Sequence, residues 1–397
     1  MSSEYLQCIS CERHYDPLEI RYTCDCGSLL EVRRVTLLDR DSFDDRRTSR
    51  AAVDRSGVWR FREGVMNDVP LEKIVTHPEG ATRLYERDGI FFKHEGENPT
   101  GSFKDRGMTV AVTQAVRVGA KAIACASTGN TSASLAAYAA QAGLRAIVFV
   151  PSGKIASGKL AQTLAYGARC LQVRGDFDDA MRLVREACDR LGIYLVNSIN
   201  PFRIEGQKTI VWELLQDLAW EAPDWIVVPA GNLGNTSAFG KAINEAHAAG
   251  WIERKPRIAS IQAAGANPFF RSYSGDFSTR HRVSAETIAS AIRIGDPVSY
   301  EKAVAAIRDT HGVVEEVTDG ELMDAKRTID GMGIGCEPAS ATTLAGVRKL
   351  RAAGIIKEGE QVVCVLTGHI LKDPDANMRP DGLVEIDATV EAVEKAI

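Results

Sequence analysis

The stretch from Asn98 to Gly107 reads NPTGSFKDRG, and it places Lys104 directly after a Gly/Ser turn at the predicted start of a helix. The positive potential of a helix N-terminus lowers the pKa of a nearby ammonium group, and a lysine with a lowered pKa can bond covalently to an aldehyde. A single lysine at a helix start is more often a solvated surface residue. A reactive role for Lys104 therefore requires additional ligand-binding motifs elsewhere in the chain.

A first glycine-containing loop, Ala126 to Ser132 (ASTGNTS), follows an apolar run and opens an alanine-rich helix predicted from Ser132 to about Gln141. Backbone N–H groups and Ser/Thr hydroxyls at such a helix start can bind a carboxylate, and Asn130 adds an amide donor. An ordinary strand-to-helix turn with a Ser/Thr cap is the alternative interpretation.

A second loop, Pro229 to Ser237 (PAGNLGNTS), lies between the strand-like run Trp225–Val228 and a predicted helix that extends through His247. Its glycines allow backbone N–H groups to close around a phosphate. The spacing matches neither the dinucleotide-binding fingerprint nor a P-loop, so it predicts the phosphate of another cofactor.

Further motifs complete the pattern: the segments Asn197 to Lys208 (NSINPFRIEGQK) and Thr367 to Pro374, the latter after a strand-like run. One lysine, two anion-binding loops and a threonine at a strand end indicate a pyridoxal phosphate enzyme of the tryptophan synthase β type. Five motifs in this order resemble those of the threonine synthases over nearly the whole chain.

The resemblance implies an α/β, two-lobed fold type II pyridoxal phosphate enzyme with mainly parallel sheets and a small N-terminal zinc-ribbon-like segment. It implies a ribbon at 1–34, a large lobe at 35–97 and 201–397, and a small inserted lobe at 98–200. Lys104 would bind the cofactor covalently and move protons. The other implied cofactor ligands are Asn130 at the phenolic oxygen, Gly231, Asn232, Leu233, Gly234 and Asn235 at the phosphate, and Thr367 at the pyridine nitrogen.

For the substrate, the resemblance implies O-phospho-L-homoserine, which loses phosphate and gains water to give L-threonine. Its phosphate would contact Asn197, Ser198 and Arg203, a cluster whose amide, hydroxyl and guanidinium suit a phosphate. Its carboxylate would contact Ser127 and Thr128. For Lys154 and Lys159, a role at the mouth of the site and a solvated position on a loop stay open.

Alternative functions also stay open. A cysteate synthase would also use a phosphate-bearing substrate, such as phosphoserine, whereas the predicted phosphate cluster argues against a threonine/serine dehydratase. Outside the enzymes, a non-catalytic relative is disfavoured by Lys104. His369 is expected to orient neighbours rather than react, and Asp105 and Arg106 are expected to pair or cap around the lysine helix.

The composition is that of an ordinary globular protein, with 397 residues of which 45% are apolar and 25% charged. A formal net charge of −5, with both signs mixed along the chain, predicts no nucleic-acid partner. No run approaches the ~20 apolar residues of a membrane span, and the first residues lack a signal-peptide core. We therefore expect a cytoplasmic protein, and a homodimer by resemblance and base rate.

Four of the nine cysteines form two close pairs, Cys8-x-x-Cys11 and Cys24-x-Cys26, with twelve residues between the pairs. Four thiolates at this spacing suggest a structural zinc ion, which would have no open coordination position. Because the second pair is C-x-C rather than C-x-x-C, a metal-free or oxidised remnant is the alternative. The other five cysteines lie among apolar neighbours and are expected to be structural.

Strand-like runs alternate with helical ones, which predicts βα units. The helix predicted at Asp176–Leu191 has apolar residues every three or four positions, including Phe177 and Leu191, which predicts one buried face. The residues from about Arg33 to Arg62 are rich in Arg and Asp and suggest a surface connector. The predicted strands are 89–93, 122–125, 146–150, 170–173, 194–196, 226–228, 258–261 and 362–366.

Overall fold

The computed structural model describes residues 4–35, 39–153, 157–377 and 383–397. Its strands in chain order are β1 (Glu4–Cys8), β2 (His14–Tyr15), β3 (Leu30–Arg34), β4 (Leu84–Arg87), β5 (Ile90–His94), β6 (Ala122–Ala126), β7 (Arg145–Pro151), β8 (Arg169–Val173), β9 (Tyr194–Leu195), β10 (Trp225–Pro229), β11 (Arg257–Ala263), β12 (Val313–Val317) and β13 (Val362–Leu366).

The helices in chain order are α1 (Arg40–Arg47), α2 (Ala52–Arg55), α3 (Arg62–Val65), α4 (Lys104–Arg117), α5 (Asn130–Ala142), α6 (Ser157–Ala165), α7 (Phe177–Leu191), α8 (Pro201–Gln207), α9 (Thr209–Asp217), α10 (Gly234–Ala248), α11 (Pro268–Ser274), α12 (Tyr300–Asp309), α13 (Asp319–Gly331), α14 (Pro338–Ala352) and α15 (Val390–Ala396). Within the described residues, no helix combines the length and apolar character that crossing a membrane requires.

These strands form three sheets. The N-terminal sheet is antiparallel with the order β2-β1-β3, and a four-stranded parallel sheet has the order β8-β7-β6-β9. The largest sheet has the order β12-β11-β10-β13-β5-β4 and is parallel except for β4. Every residue of β10 and β13 is buried, as expected for parallel strands that helices cover on both faces. The predicted α/β fold with mainly parallel sheets is confirmed.

Each of the eight predicted strands is present, with its ends shifted by at most two residues. The strands β4 and β12 were not predicted, because β4 is a partly exposed edge strand and β12 carries two glutamates. Helix α7 begins at Phe177 after an Asp176 capping box, as the pattern indicated. However, its buried residues are only Ala180, Val184 and Cys188, whereas Phe177 and Leu191 are exposed.

The surface connector predicted at about 33–62 is wrong in its second half. Val58, Trp59 and Phe61 are fully buried, and Trp59 Nε1 donates to Thr109 Oγ1 at 2.8 Å. The many charged neighbours concealed this short apolar segment, whose buried Arg60 is held by the carbonyl of Ser56 and by Gln216. The segment therefore belongs to the main hydrophobic core.

Candidate active site

The loop before Lys104 is fixed against the end of strand β13 by backbone hydrogen bonds. Phe103 N donates to Thr367 O at 3.0 Å, and His369 N donates to Gly101 O at 2.9 Å. Gly101 has a φ of +84°, which a glycine adopts without strain. This pairing places the first residue of α4, Lys104, beside the strand-terminal Thr367.

The turn that carries Lys104 is anchored by its neighbour Asp105, which is fully buried. The Asp105 carboxylate accepts from Thr100 N at 2.7 Å, from Thr100 Oγ1 at 2.6 Å and from Ser134 Oγ at 2.6 Å. The side chain of the next residue, Arg106, forms an ion pair with buried Glu95 at 2.6 Å. Asp105 and Arg106 thus support the lysine helix, as expected from the sequence.

The pKa of Lys104 is lowered to about 7 by burial and by the positive charge of Arg203. An amine with this pKa is partly neutral at physiological pH, and it can therefore act as a nucleophile and as a proton carrier. Its side chain is partly exposed to the pocket. Lys104 thus has the properties expected from its sequence motif.

Arg203 is a buried cation in the same pocket, with an exposed fraction of 2%. Its Nη1 donates to Val196 O at 3.2 Å, while its Nε has no hydrogen-bond partner. Across the described parts of the chain, no carboxylate forms an ion pair with this guanidinium. Burial lowers its pKa to about 10. A buried cation without an acidic partner is costly unless it binds an anion.

The first anion loop, whose residues Ser127 to Gly129 precede helix α5, is held by Asn197. The Asn197 Oδ1 accepts from Ala126 N and its Nδ2 donates to Ala126 O, both at 3.0 Å. Ser127 Oγ accepts from Gly129 N at 3.2 Å. Asn197 is therefore largely occupied in fixing this loop, and one of its two N–H groups is left for a ligand.

The second anion loop leads into helix α10 through Leu233, which has a φ of +61°. A side chain on Gly231 would clash, because an added Cβ would lie 2.9 Å from Ile292 Cα. Asn232 links this loop to Ser198, with Nδ2 donating to Ser198 Oγ at 3.3 Å. Asn235 Oδ1 is buried and has no partner. The loop has the tight backbone and free polar groups of a phosphate cradle.

A cavity of about 500 Å³ brings these elements together. Its lining includes each residue predicted to contact cofactor or substrate: Lys104, Ser127, Thr128, Asn130, Asn197, Ser198, Arg203, Gly231, Asn232, Leu233, Gly234, Asn235 and Thr367. Lys154 and the side chain of Lys159 lie outside the described residues.

Among the lining residues that were not predicted are Gln207, Glu337 and Lys372. Glu337 is 4% exposed, and burial raises the pKa of its carboxyl group. Gln207 lies four residues after Arg203 in the motif Asn197 to Lys208. It could have been predicted, because residues one helical turn apart lie on the same face of a helix. Lys372 lies within the predicted motif Thr367 to Pro374 and could also have been included, whereas no sequence pattern marks Glu337.

The donor set of the cavity fits pyridoxal phosphate. The Lys104 amine, with its lowered pKa, can react with an aldehyde, and the glycine loop at the start of α10 can bind a phosphate. The buried polar atoms Arg203 Nε, Gln207 Oε1 and Asn235 Oδ1 lack partners within the described structure, which indicates polar groups built for a ligand.

A second group of reactive side chains lies at the N-terminus. The sulfur atoms of Cys8, Cys11, Cys24 and Cys26 all lie within 4.8 Å of one another. The hydroxyl group of Tyr15, 3.1 Å from Cys24 Sγ, lowers the pKa of that thiol to about 6, together with neighbouring donors. The four predicted cysteines therefore form one cluster that could hold a metal ion.

Comparisons with known proteins agree with this geometry. Residues 72–368 match the family model described as pyridoxal-phosphate dependent enzyme. The threonine synthase of Methanocaldococcus jannaschii is 47% identical over 94% of each chain, and that of Methanosarcina acetivorans is 44% identical over 99% of this chain and 98% of the relative. The crystal structure of Escherichia coli threonine synthase superposes with a TM-score of 0.76 at 18% identity, covering 99% of this chain and 94% of the other.

The matches to the two threonine synthases of known sequence extend over almost the entire chain. The chain belongs to the threonine synthase family of pyridoxal-phosphate-dependent enzymes.

Proposed function

We propose that this protein converts O-phospho-L-homoserine and water into L-threonine and inorganic phosphate, with pyridoxal phosphate as its cofactor. The observation that carries the proposal is Arg203, a buried cation without an acidic partner in the described structure, in the pocket of Lys104. Such a cation suits a substrate phosphate. A dehydratase substrate, which has no phosphate, would leave this charge uncompensated.

The cofactor would be held by four parts of the cavity. Lys104 would bond to it through the side-chain amine, and the backbone N–H groups of Gly231 to Asn235 would bind its phosphate. Asn130 would donate to the phenolic oxygen, and Thr367 would face the pyridine nitrogen. When bound, pyridoxal phosphate supplies an electron sink for the negative charge that develops on the substrate.

The substrate would lie between the two anion loops. Ser127 and Thr128, at the start of helix α5, bind its carboxylate with the help of the helix dipole. Arg203, Ser198 and the remaining N–H of Asn197 bind its phosphate. The unpartnered Nε of Arg203 and its Nη groups can form a bidentate contact with phosphate oxygens.

Lys104 would move the protons of the reaction. A pKa of about 7 allows the amine to take protons from Cα and Cβ of the substrate and to return them near neutral pH. The bond between Cγ and the phosphate oxygen breaks, and Arg203 stabilises the departing phosphate. The hydroxyl group of water then bonds to Cβ. Of the three protons released from Cα, Cβ and water, one returns to Cα, one goes to Cγ and one leaves with the phosphate.

The test measures phosphate release and L-threonine formation in parallel, from O-phospho-L-homoserine or O-phospho-L-serine, with Lys104→Ala as the control. We expect both products from phosphohomoserine only, and neither in the variant. Phosphate release from phosphoserine without threonine would favour a cysteate synthase-like activity. Inactivity on both substrates would overturn the assignment of the substrate.

We further propose that Cys8, Cys11, Cys24 and Cys26 bind one structural zinc ion. Support comes from their convergence: Cys8 and Cys26 have sulfurs 3.5 Å apart, and those of Cys11 and Cys24 are 3.4 Å apart. Ser10 N and Cys11 N both point at Cys8 Sγ at 3.4 Å, as backbone amides do around zinc thiolates. A four-cysteine site has no position for a substrate.

The proposed domain division keeps the ribbon at 1–34, the large lobe at 35–97 and 201–397, and the small lobe at 98–200. It is supported by the four-stranded sheet, whose strands all lie between 122 and 195. We also propose a cytoplasmic homodimer. The nine cysteines form no disulfide, which suits a reducing compartment, and twofold assemblies are the commonest oligomers. Light scattering after size-exclusion chromatography measures the oligomeric state.

A further inference from the structure

Glu337 is a buried carboxylate in the cavity that the proposed reaction does not use. Its Oε2 accepts from Asn130 Nδ2 at 2.9 Å, and its Oε1 accepts from Thr367 Oγ1 at 3.3 Å. Asn130 begins helix α5 beside the four-stranded sheet, whereas Thr367 follows β13 of the six-stranded sheet. One side chain therefore connects residues that come from the two parallel sheets.

The hydrogen bonds around Thr367 have a direction. Gly368 N donates to Ser340 Oγ at 3.2 Å, and Ser340 Oγ lies 3.1 Å from Thr367 Oγ1. Because each hydroxyl has a single proton, a chain that starts at the amide and ends at a carboxylate runs from Ser340 to Thr367 to Glu337. Glu337 is the final acceptor of this chain.

The backbone around Glu337 is built to admit the carboxylate. Glu337 N donates to Gly368 O at 3.0 Å, and Pro338 starts helix α14 directly after it. A Cβ on Gly368 would come close to Glu337 Cδ, at only 2.3 Å. The absence of a side chain at position 368 thus leaves room for this carboxylate.

Two cations act on Glu337. Burial raises the pKa of the carboxyl group, while Lys104 and Lys372 oppose this effect together with the hydrogen bond from Asn130. In return, the negative charge of Glu337 raises the pKa of Lys104, against burial and Arg203. Glu337 is therefore electrostatically coupled to the proposed reactive amine.

We propose that Glu337 is a positioning residue, which holds the Asn130 amide and the Thr367 hydroxyl in one hydrogen-bonded group so that both meet the ring of the cofactor. The inference rests on the proposed function, which assigns these two side chains to the ring. A carboxylate suits this role because each of its oxygens accepts a hydrogen bond. A glutamine has one accepting oxygen and would turn an NH₂ group toward the second donor.

The test uses the full chain with Glu337→Gln, which removes the charge, and Glu337→Asp, which keeps the charge but shortens the side chain. Cofactor-free protein is titrated with pyridoxal phosphate, and the pH dependence of Lys104 modification by an amine reagent is measured by peptide mass spectrometry. For Glu337→Gln we expect a Kd for the cofactor raised roughly three- to tenfold, as for one lost hydrogen bond. We also expect a lower apparent pKa for Lys104.

For Glu337→Asp we expect weaker cofactor binding with little change in the apparent pKa of Lys104, since the charge remains. A purely structural role would lower the melting temperature without changing the pKa of Lys104. Cofactor affinity within twofold of wild type, in whichever of the two variants folds, would overturn the proposal. A wild-type chain that releases no phosphate from phosphohomoserine would overturn the proposed function, while these binding and titration results would still report on Glu337.

Discussion

Lys104 and Arg203 lie in one pocket, and the guanidinium of Arg203 adds to burial in lowering the pKa of the Lys104 amine to about 7. A single cation thus serves two purposes in the proposed mechanism. It binds the phosphate of the substrate, and it keeps the amine partly neutral before the substrate arrives.

The first prediction concerns the titration of Lys104 in cofactor-free protein. Modification by an amine reagent, followed by peptide mass spectrometry, should show an apparent pKa of about 7 for Lys104. The exposed Lys357 provides a reference amine in the same digest. Arg203→Gln should raise the apparent pKa of Lys104, because it removes a nearby positive charge. An unchanged pKa of Lys104 in the Arg203→Gln variant would show that Arg203 does not act on the Lys104 amine.

The second prediction separates binding from stability at Arg203. Arg203→Met should reduce kcat/KM for phosphohomoserine by roughly 10- to 150-fold, the loss of a charged hydrogen bond of about 1.5–3 kcal/mol. Its melting temperature should not fall, because the variant removes a buried charge that lacks an acidic partner. Thermal unfolding and steady-state kinetics measure the two effects.

Arg106→Met is the matched control for this experiment. Arg106 is equally buried, but it pairs with Glu95 at 2.6 Å and with Glu213 at 2.8 Å. Glu95 forms no other ion pair in the described part of the chain, so removing Arg106 leaves this buried carboxylate unpaired and should cost about 3–5 kcal/mol of stability. If Arg203→Met destabilised the protein as strongly as Arg106→Met, Arg203 would be a structural residue.

The proposed reactive residues could be predicted from the sequence because they lie in contiguous motifs. Lys104 and Arg203 each follow a turn with a recognisable pattern, and the fold brings their segments together at strand ends. Glu337 was not predictable in this way, since a glutamate before a proline is common and its role depends on Asn130, more than 200 residues away. Long-range convergence of this kind leaves no local signal.

The buried segment around Trp59 illustrates a second limit. Its apolar residues are few and stand beside charged ones, so composition indicated a surface position. In the structure, Arg60 is buried among hydrogen-bond acceptors, and Arg62 pairs with Asp54 at 2.6 Å. A charged side chain that is hydrogen-bonded or ion-paired can be buried, so charged residues alone do not indicate a surface segment.

The third prediction concerns Glu205, which joins the N-terminal sheet to the catalytic body. Its buried carboxylate accepts from Arg34 at 2.5 Å, Lys208 at 2.8 Å and Lys241 at 2.6 Å. Although burial alone would raise its pKa, the three cations hold the pKa well below the ordinary value. Glu205→Gln should therefore destabilise the protein by about 3–5 kcal/mol at pH 7.

The difference between the pKa of Glu205 in the folded protein and in the unfolded protein also predicts a pH effect on stability. Since the folded-state pKa is depressed, the stabilisation is present above the unfolded pKa of about 4.3 and is lost as pH falls toward the folded value. Thermal unfolding measured between about pH 5 and about pH 2 should show a smaller decline for Glu205→Gln than for wild type. Glu186→Gln is the control, because Glu186 forms an exposed ion pair with Arg190. This substitution should change stability by less than about 1 kcal/mol. Parallel pH profiles for Glu205→Gln and wild type would contradict the argument.

The fourth prediction tests the room that Gly368 leaves for Glu337. Gly368→Ala should weaken pyridoxal phosphate binding, because the added methyl group would lie 2.3 Å from Glu337 Cδ and displace the carboxylate. Gly331→Ala is the control, since an added Cβ there meets no atom within 4 Å. Fluorescence titration of both variants measures the affinity. Equal affinities would show that Glu337 can shift without consequence.

The last prediction concerns the four-cysteine cluster. Purified protein should release about one zinc ion per chain when its thiols are titrated with a mercurial reagent in the presence of a chromogenic chelator. Cys24→Ser should lower the zinc content and the melting temperature, because the N-terminal sheet would lose a ligand that crosslinks its loops. The activity per folded molecule should stay close to wild type, since the cluster is separate from the cavity of Lys104. Cys188→Ser, a cysteine outside the cluster, controls for the loss of a thiol. A wild-type chain that contains no zinc after growth in zinc-supplemented medium, with unchanged melting temperature in Cys24→Ser, would favour a metal-free remnant.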